Sequence, residues 1–283
     1  MDRPNIIHSF YSLKCCDDNL FFQSCYFMLS CLYVKNIGGN ISIHTDDKFA
    51  SLIESCPYDN IYRDLNDCYE APRKFFAYPK LISLSKEPLG TIHIDGDVFL
   101  KKEGLFDMLD IKEYDCITQS LELREFIEWE GIWDASSEHF KYVEYPYYMQ
   151  RFCNKMYNCG VLGFNNEKLY NEWYENYFRM LNEYIYHPND VDNGIPDIIL
   201  EQQSLVDLCD YKKYNVKTLL PIGNFMELNI AANEIGYQHA VSHTKSENII
   251  MCLQNIKRIS PKHYEIVKQN WENQYSLFFK YVE

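Results

Sequence analysis

The chain has 283 residues, 47% of them hydrophobic and 16% aromatic, which is enough to bury a large core. Its 41 acidic residues outnumber its 27 basic ones and give a formal net charge of −14. Because no basic cluster interrupts this acidic excess, nucleic acid is excluded as a partner. The 11 cysteines stand mostly alone without CxxC spacing, which predicts reduced thiols in a cytoplasmic protein, with neither a disulfide framework nor a zinc site.

The most apolar early segment, LFFQSCYFMLSCLYV at 20–34, is too short to span a membrane. It has roughly 15 residues and includes Gln and Ser, whereas a bilayer span needs about 20 apolar residues. The segment therefore predicts a buried helix, and neither a transmembrane segment nor a secretory signal is expected. Peripheral association with a membrane, through a partner or a lipid substrate, stays open.

In chain order, apolar runs alternate with stretches of helical spacing. The predicted strands lie at 6–10, 41–46, 60–62, 91–95, 115–122 and 159–164. The predicted helices lie at 20–34, 47–56, 72–86, 167–184, 198–208 and 260–283. Because the strands are apolar along their whole length, the pattern predicts an α/β fold with a mainly parallel central sheet flanked by helices. No linker or internal repeat divides the chain, so we expect a single domain over 1–283.

Several polar residues follow the predicted strands at their carboxyl ends. In open parallel sheets the ligand crevice lies beyond these ends. The residues that fall there are His8, Ser9, Thr45, Asp46, Asp95 and Asp97. We expect His8, Ser9 and Asp46 to contribute to substrate binding.

Asp95 and Asp97 end the strand TIHID at a D-x-D spacing. Two neighbouring carboxylates repel each other unless a cation lies between them, and Mg²⁺ or Mn²⁺ prefers such oxygen ligands. Gly96 allows a tight backbone that turns both side chains to one side. The alternative is that Asp95 caps a turn while Asp97 faces solvent.

A strand followed by D-x-D is also typical of haloacid dehalogenase-type phosphatases. In that class the first acid, here Asp95, attacks a phosphoryl group and the second acts as acid and base. The motif normally lies on their first strand, whereas about 90 residues of strand-helix alternation precede Asp95. No acidic pair on a later apolar strand completes such a site.

Four segments, taken in order, resemble the GT-A glycosyltransferases and in particular the retaining enzymes of family 8, typified by lipopolysaccharide galactosyltransferases and glycogenin. HIDGDVFL resembles their D-x-D strand, and NCGVLGFNN at 158–166 is similar to N-[AS]-G-V-[ML]-x-x-N. EQQSL at 201–205 resembles D-Q-x-x-[LF], and HAVSHTK at 239–245 keeps the spacing of H-x-x-G-x-x-K. The resemblance covers about residues 3–255 and is that of a divergent, bacterial branch.

The resemblance implies a GT-A, Rossmann-like domain and a set of site residues. Asp95, Asp97 and His239 would hold Mn²⁺ or Mg²⁺, and Lys245 would contact phosphate. The residues that the resemblance places at the donor sugar or the reacting face are Lys80, Asn158, Glu201 and Gln202. Ser242 stands where the family has Gly, so His243 stays open as an alternative third metal ligand.

Each of these residues also has a structural interpretation. Asn158 could satisfy backbone groups at the start of a strand, and Lys80 could be an ordinary surface lysine. Glu201 and Gln202 could form an exposed helix face. The aromatic residues between Trp129 and Tyr148 suit either core packing or the faces of sugar rings.

The combined pattern predicts a metal-dependent glycosyltransferase that moves a sugar from a nucleotide-sugar, expected to be a UDP-sugar, to a glycan or lipid-linked acceptor, with retention of configuration. The nucleotide-binding half would cover about 1–100, the acceptor half about 101–260, and a C-terminal helix 261–283. The alternatives are the phosphatase described above and a non-catalytic protein that binds a nucleotide or a sugar.

Overall fold

The computed structural model describes residues 3–12, 15–70, 76–127, 143–149, 154–186, 195–240 and 245–282. These residues form a mixed α/β fold. No helix in these ranges is long and apolar enough to cross a membrane.

Nine strands occur in the described residues. They are β1 (Ile6–Phe10), β2 (Ile41–Thr45), β3 (Ile61–Tyr62), β4 (Ile92–Ile94), β5 (Val98–Leu100), β6 (Cys116–Leu123), β7 (Lys155–Phe164), β8 (Val216–Thr218) and β9 (Tyr237–His239). Seven of them form one sheet in the order β3-β2-β1-β4-β7-β6-β8, and β5 pairs with β9 in a separate two-stranded sheet.

Most of the large sheet is parallel. β1 pairs with β2, β2 with β3, and β6 with β8 in parallel, while β6 and β7 run antiparallel. The predicted α/β fold with a mainly parallel sheet flanked by helices is confirmed. Three strands, β5, β8 and β9, have no counterpart among the predicted strands, because a run of three residues is too short to show an alternating pattern.

The helices of the described residues are α1 (Asp17–Asn36), α2 (Asp47–Leu52), α3 (Tyr78–Leu84), α4 (Leu105–Met108), α5 (Glu167–Tyr186), α6 (Ile195–Ile198), α7 (Ser204–Lys212), α8 (Phe225–Ile235), α9 (Lys245–Ile259) and α10 (Pro261–Lys280). A π-helical turn, Ile199–Gln203, joins α6 to α7. Pro79 lies in the first turn of α3 and therefore begins that helix, where its missing N–H is not needed, rather than interrupting it.

The chain divides into two compact units. Unit 1 comprises Met1–Tyr69, Ile94–Asp107 and Asn233–Glu283, and unit 2 comprises Glu70–His93 and Met108–Ala232. The predicted single domain stays a prediction.

Unit 1 is built around α1. This helix is buried on nearly all sides between residues 20 and 34, which confirms the buried helix expected from its apolar sequence. α9 and α10 pack on it, and residues such as Phe21, Trp271 and Phe279 share one core. Since α1 also packs against β5, it supports the segment that carries the two acidic residues.

Unit 2 is built around the antiparallel pair β6 and β7. α5 contributes the fully buried Trp173 and Tyr177, and the π-helical turn packs on β7. The pairing of β6 with β7 shifts register between Thr118 and Ser120, next to the position where Ser120 faces Asn158. This irregularity lies beside one of the predicted site residues.

Candidate metal and ligand-binding sites

The segment between β4 and β5 carries Asp95 and Asp97 on a tight turn in unit 1. The turn closes because the Val98 N–H donates to the Asp95 carbonyl at 2.9 Å. Gly96 has no left-handed backbone angle, but a Cβ on it would collide with the Phe27 ring of α1. Gly96 is therefore required by close packing on Phe27, and not by the backbone freedom that the sequence suggested.

β9 brings His239 to this turn. β5 and β9 pair antiparallel with Val98 opposite His239, and the Ala240 N–H donates to the Asp97 carbonyl at 2.9 Å. His239 Nε2 consequently lies 3.4 Å from Asp97 Oδ1. The register of a short two-stranded sheet thus positions an imidazole beside the second carboxylate.

Asp95, Asp97 and His239 together fit a divalent cation. One ligand atom from each lies within 4.8 Å of those of the other two. Neighbouring ligands of an octahedral Mg²⁺ or Mn²⁺ are about 3 Å apart, so small side-chain rotations suffice to converge on one ion. Asp97 is buried, whereas Asp95 and His239 are partly exposed, so the group is accessible from solvent in part. The alternative ligand His243 lies outside the described residues.

His8 is connected to the acidic turn by a chain of hydrogen bonds. It is fully buried, its Nδ1 lies 2.7 Å from the Tyr58 hydroxyl, and its Nε2 lies 3.0 Å from Ser30 Oγ. Ser30 Oγ donates in turn to the Val98 carbonyl at 2.6 Å. Burial lowers the pKa of His8 to about 3, against the opposing effect of the Asp97 charge, so its imidazole is neutral. Both ring nitrogens contact protein groups, and the substrate contact predicted for His8 stays a prediction.

Asp46 holds two segments of unit 1 together. Its carboxylate caps α2 by accepting from the Phe49 N–H at 3.0 Å, and it also accepts from the backbone and the hydroxyl of Ser12. It is fully buried. Ser9 lies half-buried on β1, opposite His44 of β2. These contacts give Asp46 a structural role, and substrate contacts by Asp46 and Ser9 stay predictions.

Lys80 and Glu201 form a buried ion pair in unit 2. Lys80 Nζ lies 2.8 Å from Glu201 Oε1 and donates to the Cys159 carbonyl at 2.9 Å. Both side chains are almost completely buried. The interpretations of Lys80 as a surface lysine and of Glu201 as part of an exposed helix face are therefore wrong, because the fold buries both side chains against each other.

Asp197 lies one helical turn before Glu201 and was not among the predicted site residues. Its carboxylate accepts from the Ala77 N–H at the start of α3 and from the Tyr177 hydroxyl, the latter at 2.7 Å. Burial, and then the nearby Glu201 charge, raise the pKa of Asp197 to about 8, while its hydrogen bonds and Lys80 act in the opposite direction. The i, i+4 spacing of two acids in IPDIILEQ was the only available signal.

Asn158 of β7 is hydrogen-bonded to a side chain of β6. Its Nδ2 donates to Glu122 Oε1 at 2.9 Å, and its Oδ1 accepts from the Gly160 N–H at 3.0 Å. The second contact agrees with the interpretation that this side chain satisfies backbone groups. Gln202 is half-buried, whereas its neighbour Gln203 is buried. Lys245 begins α9, and its side chain lies outside the described part of the chain.

A known protein family matches nearly all of this sequence. Its profile covers residues 7–271 and carries the description "Family of unknown function (DUF6734)". The chain belongs to the DUF6734 family. Among curated proteins no match was found.

Among solved structures, 27 chains match this DUF6734 protein. One is 4-diphosphocytidyl-2C-methyl-D-erythritol synthase from Anaerococcus prevotii, with 13% identity over 83% of this chain and 100% of that chain and a TM-score of 0.37. Another is the galactosyltransferase LgtC in complex with donor and acceptor sugar analogs, with 10% identity over 76% of this chain and 72% of that chain and a TM-score of 0.36. Likenesses at this level are too weak to assign an activity.

Two groups of side chains in the DUF6734 protein are thus candidates for a chemical role. Asp95, Asp97 and His239 form a candidate donor set for a divalent cation in unit 1. Lys80, Glu201 and Asp197 form a buried charged cluster in unit 2. The D-x-D spacing predicted Asp95 and Asp97 as metal ligands and the family resemblance added His239; the three lie close together in the structure, and their role as ligands stays a prediction.

Proposed function

We propose that this DUF6734 protein is a metal-dependent glycosyltransferase that moves a sugar from a nucleotide-sugar to a glycan or glycolipid acceptor. The single observation that carries the proposal is the convergence of Asp95, Asp97 and His239. Two carboxylates and an imidazole, two of them partly exposed, suit a hard divalent cation that would also accept phosphate oxygens. The order of the four motifs along the chain supports the same assignment.

In this proposal each residue has a definite task. Asp95, Asp97 and His239 would hold Mn²⁺ or Mg²⁺, and the ion would supply positive charge to stabilise a leaving diphosphate. Lys245 would add a positive charge near the diphosphate, as the family resemblance implies. Because His8 is held neutral and hydrogen-bonded behind the turn, it keeps the backbone after Asp97 in place without adding positive charge to the site.

Further predicted residues would position the sugar groups of the donor and the acceptor. The half-buried Gln202 and Asn158 would orient the donor sugar and the acceptor, and the buried Glu201, predicted to approach the reacting face, would act through the segment that carries Gln202. Lys80 and Asp197 would hold the Glu201 segment in position. Lys80 of α3 pairs with Glu201, and Asp197 of α6 accepts from the Ala77 N–H at the start of α3. A UDP-sugar as donor and retention of configuration are part of this proposal.

The direct test measures release of nucleoside diphosphate from a panel of nucleotide-sugars in the presence of Mn²⁺. We expect slow hydrolysis of one donor by the wild-type protein and none by Asp97→Asn or His239→Ala. Asp107→Asn is the matched control, because Asp107 is an exposed acid of the same unit. Mn²⁺ binding followed by electron paramagnetic resonance should weaken by more than about 100-fold in Asp97→Asn, beyond the usual loss for an outer-sphere partner.

Three results would contradict the proposal. Turnover of phosphate monoesters alone would identify a phosphatase. Tight nucleotide binding without turnover of any donor would identify a binding protein. Equal Mn²⁺ affinity in the wild-type protein and Asp97→Asn would remove the observation on which the proposal rests.

A further inference from the structure

Two exposed tyrosines lie side by side on unit 2. Tyr147 is 66% exposed and Tyr211, at the end of α7, is 57% exposed. Their ring centroids are 5.2 Å apart and their planes are inclined by 78°. Large aromatic rings are usually buried, so an exposed, touching pair suggests a ligand. The neighbouring Tyr148, by contrast, is buried in the interior of unit 2.

Polar groups fix the orientation of the Tyr147 ring. Its hydroxyl donates to Glu172 Oε1 at 2.9 Å, and Lys212 Nζ lies 5.5 Å from the ring centroid. Tyr211 packs on it from one side and Tyr148 from another, the latter at 5.5 Å between centroids. The ring is therefore held in place before any ligand arrives, which reduces the entropy that binding would otherwise cost.

The polar rim of this surface has both an acceptor and a donor. Glu172 Oε2 and Lys212 Nζ are 3.7 Å apart, too far for a good hydrogen bond, and both side chains are partly exposed. Each therefore retains capacity to bond to a ligand. A carboxylate accepts from hydroxyl groups and an ammonium donates to them, so the rim suits a ligand rich in hydroxyls.

Sugar rings have this combination of properties. One face of a pyranose consists largely of C–H groups, which pack on an aromatic face, while its hydroxyl groups project from the edge. An anionic ligand is disfavoured, because Glu172 belongs to the rim and the whole chain has a net charge of −14.

We propose that Tyr147, Tyr211, Glu172 and Lys212 form a binding surface for a neutral saccharide. The role of this surface as the site that holds the glycan part of the acceptor rests on the proposed glycosyl transfer. Saccharide binding itself does not depend on that activity.

The test uses the full chain and a panel of neutral oligosaccharides containing glucose, galactose or N-acetylhexosamine. Saturation-transfer difference NMR should show contacts to the C–H face of one sugar ring. We expect affinity for the best ligand to fall about tenfold or more in Tyr147→Ala and in Tyr211→Ala, because each removes one aromatic face. Tyr147→Phe should lose less, since it keeps the ring and removes only the anchor to Glu172.

Tyr281→Ala is the matched control, because Tyr281 is 71% exposed and lies in unit 1. It should leave saccharide affinity unchanged. Absence of binding to every oligosaccharide at millimolar concentration would overturn the proposal. So would equal affinity in Tyr147→Ala and wild type, or Tyr147-dependent binding of a proline-rich peptide in place of the saccharides.

Two comparisons separate this proposal from the proposed function. Asp97→Asn should bind the saccharide normally while failing to turn over a nucleotide-sugar. Saccharide binding that depends on Tyr147, in a protein that turns over no donor, would leave the surface standing and overturn glycosyl transfer. Transfer to a soluble saccharide with the same KM in Tyr147→Ala would overturn the surface and leave glycosyl transfer standing.

Discussion

Gly96 separates the two acidic metal-ligand candidates, and the ring of Phe27 fills the space where a side chain would lie. The D-x-D spacing predicted the acids from local sequence. It could not predict Phe27 as the neighbour, because that residue reaches the turn from α1 through the packing of unit 1. At this scale sequence finds the reactive groups but not the contacts that hold them.

We predict that Gly96→Ala reduces both stability and metal affinity. The added methyl group overlaps the Phe27 ring, and overpacking of this kind typically costs about 1–3 kcal/mol in the free energy of unfolding. Urea denaturation measures the first effect and Mn²⁺ titration the second.

The control is Gly104→Ala in the same unit, since a Cβ there has no atom within 4 Å. It should be nearly neutral. Adding Phe27→Leu to Gly96→Ala should recover part of both losses. Equal behaviour of the two alanine variants would show that the Phe27 contact does not constrain the turn.

At the scale of elements, two contacts one helical turn apart connect α3 with α6 and the π-helical turn that follows it. Asp197 accepts from the Ala77 N–H where α3 begins, and one turn later Lys80 meets Glu201. Helical spacing in the sequence marked each partner separately. Their pairing was not predictable, because the two segments are far apart in the chain and the π-helical turn has no clear sequence signal.

We predict that Lys80→Met destabilises the protein by about 3–5 kcal/mol, because it removes the cation 2.8 Å from the buried Glu201 carboxylate. The double variant Lys80→Met, Glu201→Gln should recover much of this loss, since no net charge is then left behind. Urea denaturation followed by circular dichroism measures both.

The comparison for this prediction is Arg179→Ala, which breaks a partly exposed i, i+4 pair with Glu183 on α5. We expect at most about 1 kcal/mol for that change. A Lys80→Met loss no greater than the Arg179→Ala loss would contradict the importance of the buried pair.

At the scale of the whole molecule, the acidic composition and the buried acids together govern the response to pH. The net charge of −14 produces self-repulsion that grows as pH rises. Composition predicts this general trend. It cannot identify Asp197, whose pKa is raised to about 8 only because the fold buries it beside Glu201.

We predict that Asp197 makes the free energy of unfolding fall as pH rises from about 4 to about 8. Over this range the unfolded chain has released a proton that the folded protein keeps, so the contribution is fully present below about pH 4 and is lost by about pH 8. Asp197→Asn removes this contribution and should show a shallower decline.

The measurement is urea denaturation at several values between pH 6.5 and 8. Below that range His8, held neutral in the folded protein with a pKa of about 3, acts in the opposite direction. Asp107→Asn, which changes an exposed acid, should decline as the wild type does. Parallel curves for the wild type and Asp197→Asn would contradict the prediction.

The sequence by itself determined the α/β alternation, the buried character of α1, and the two acids at the end of β4. These features depend on periodicity and on neighbours a few residues away, which a single sequence displays directly. The family resemblance grouped either His239 or His243 with these acids, and only the tertiary structure decided that strand register brings His239 to 3.4 Å from Asp97 and that Lys80 and Glu201 are buried together. The physical reason is that strand register and burial depend on packing between segments distant in the chain, and local sequence does not record which of them will meet.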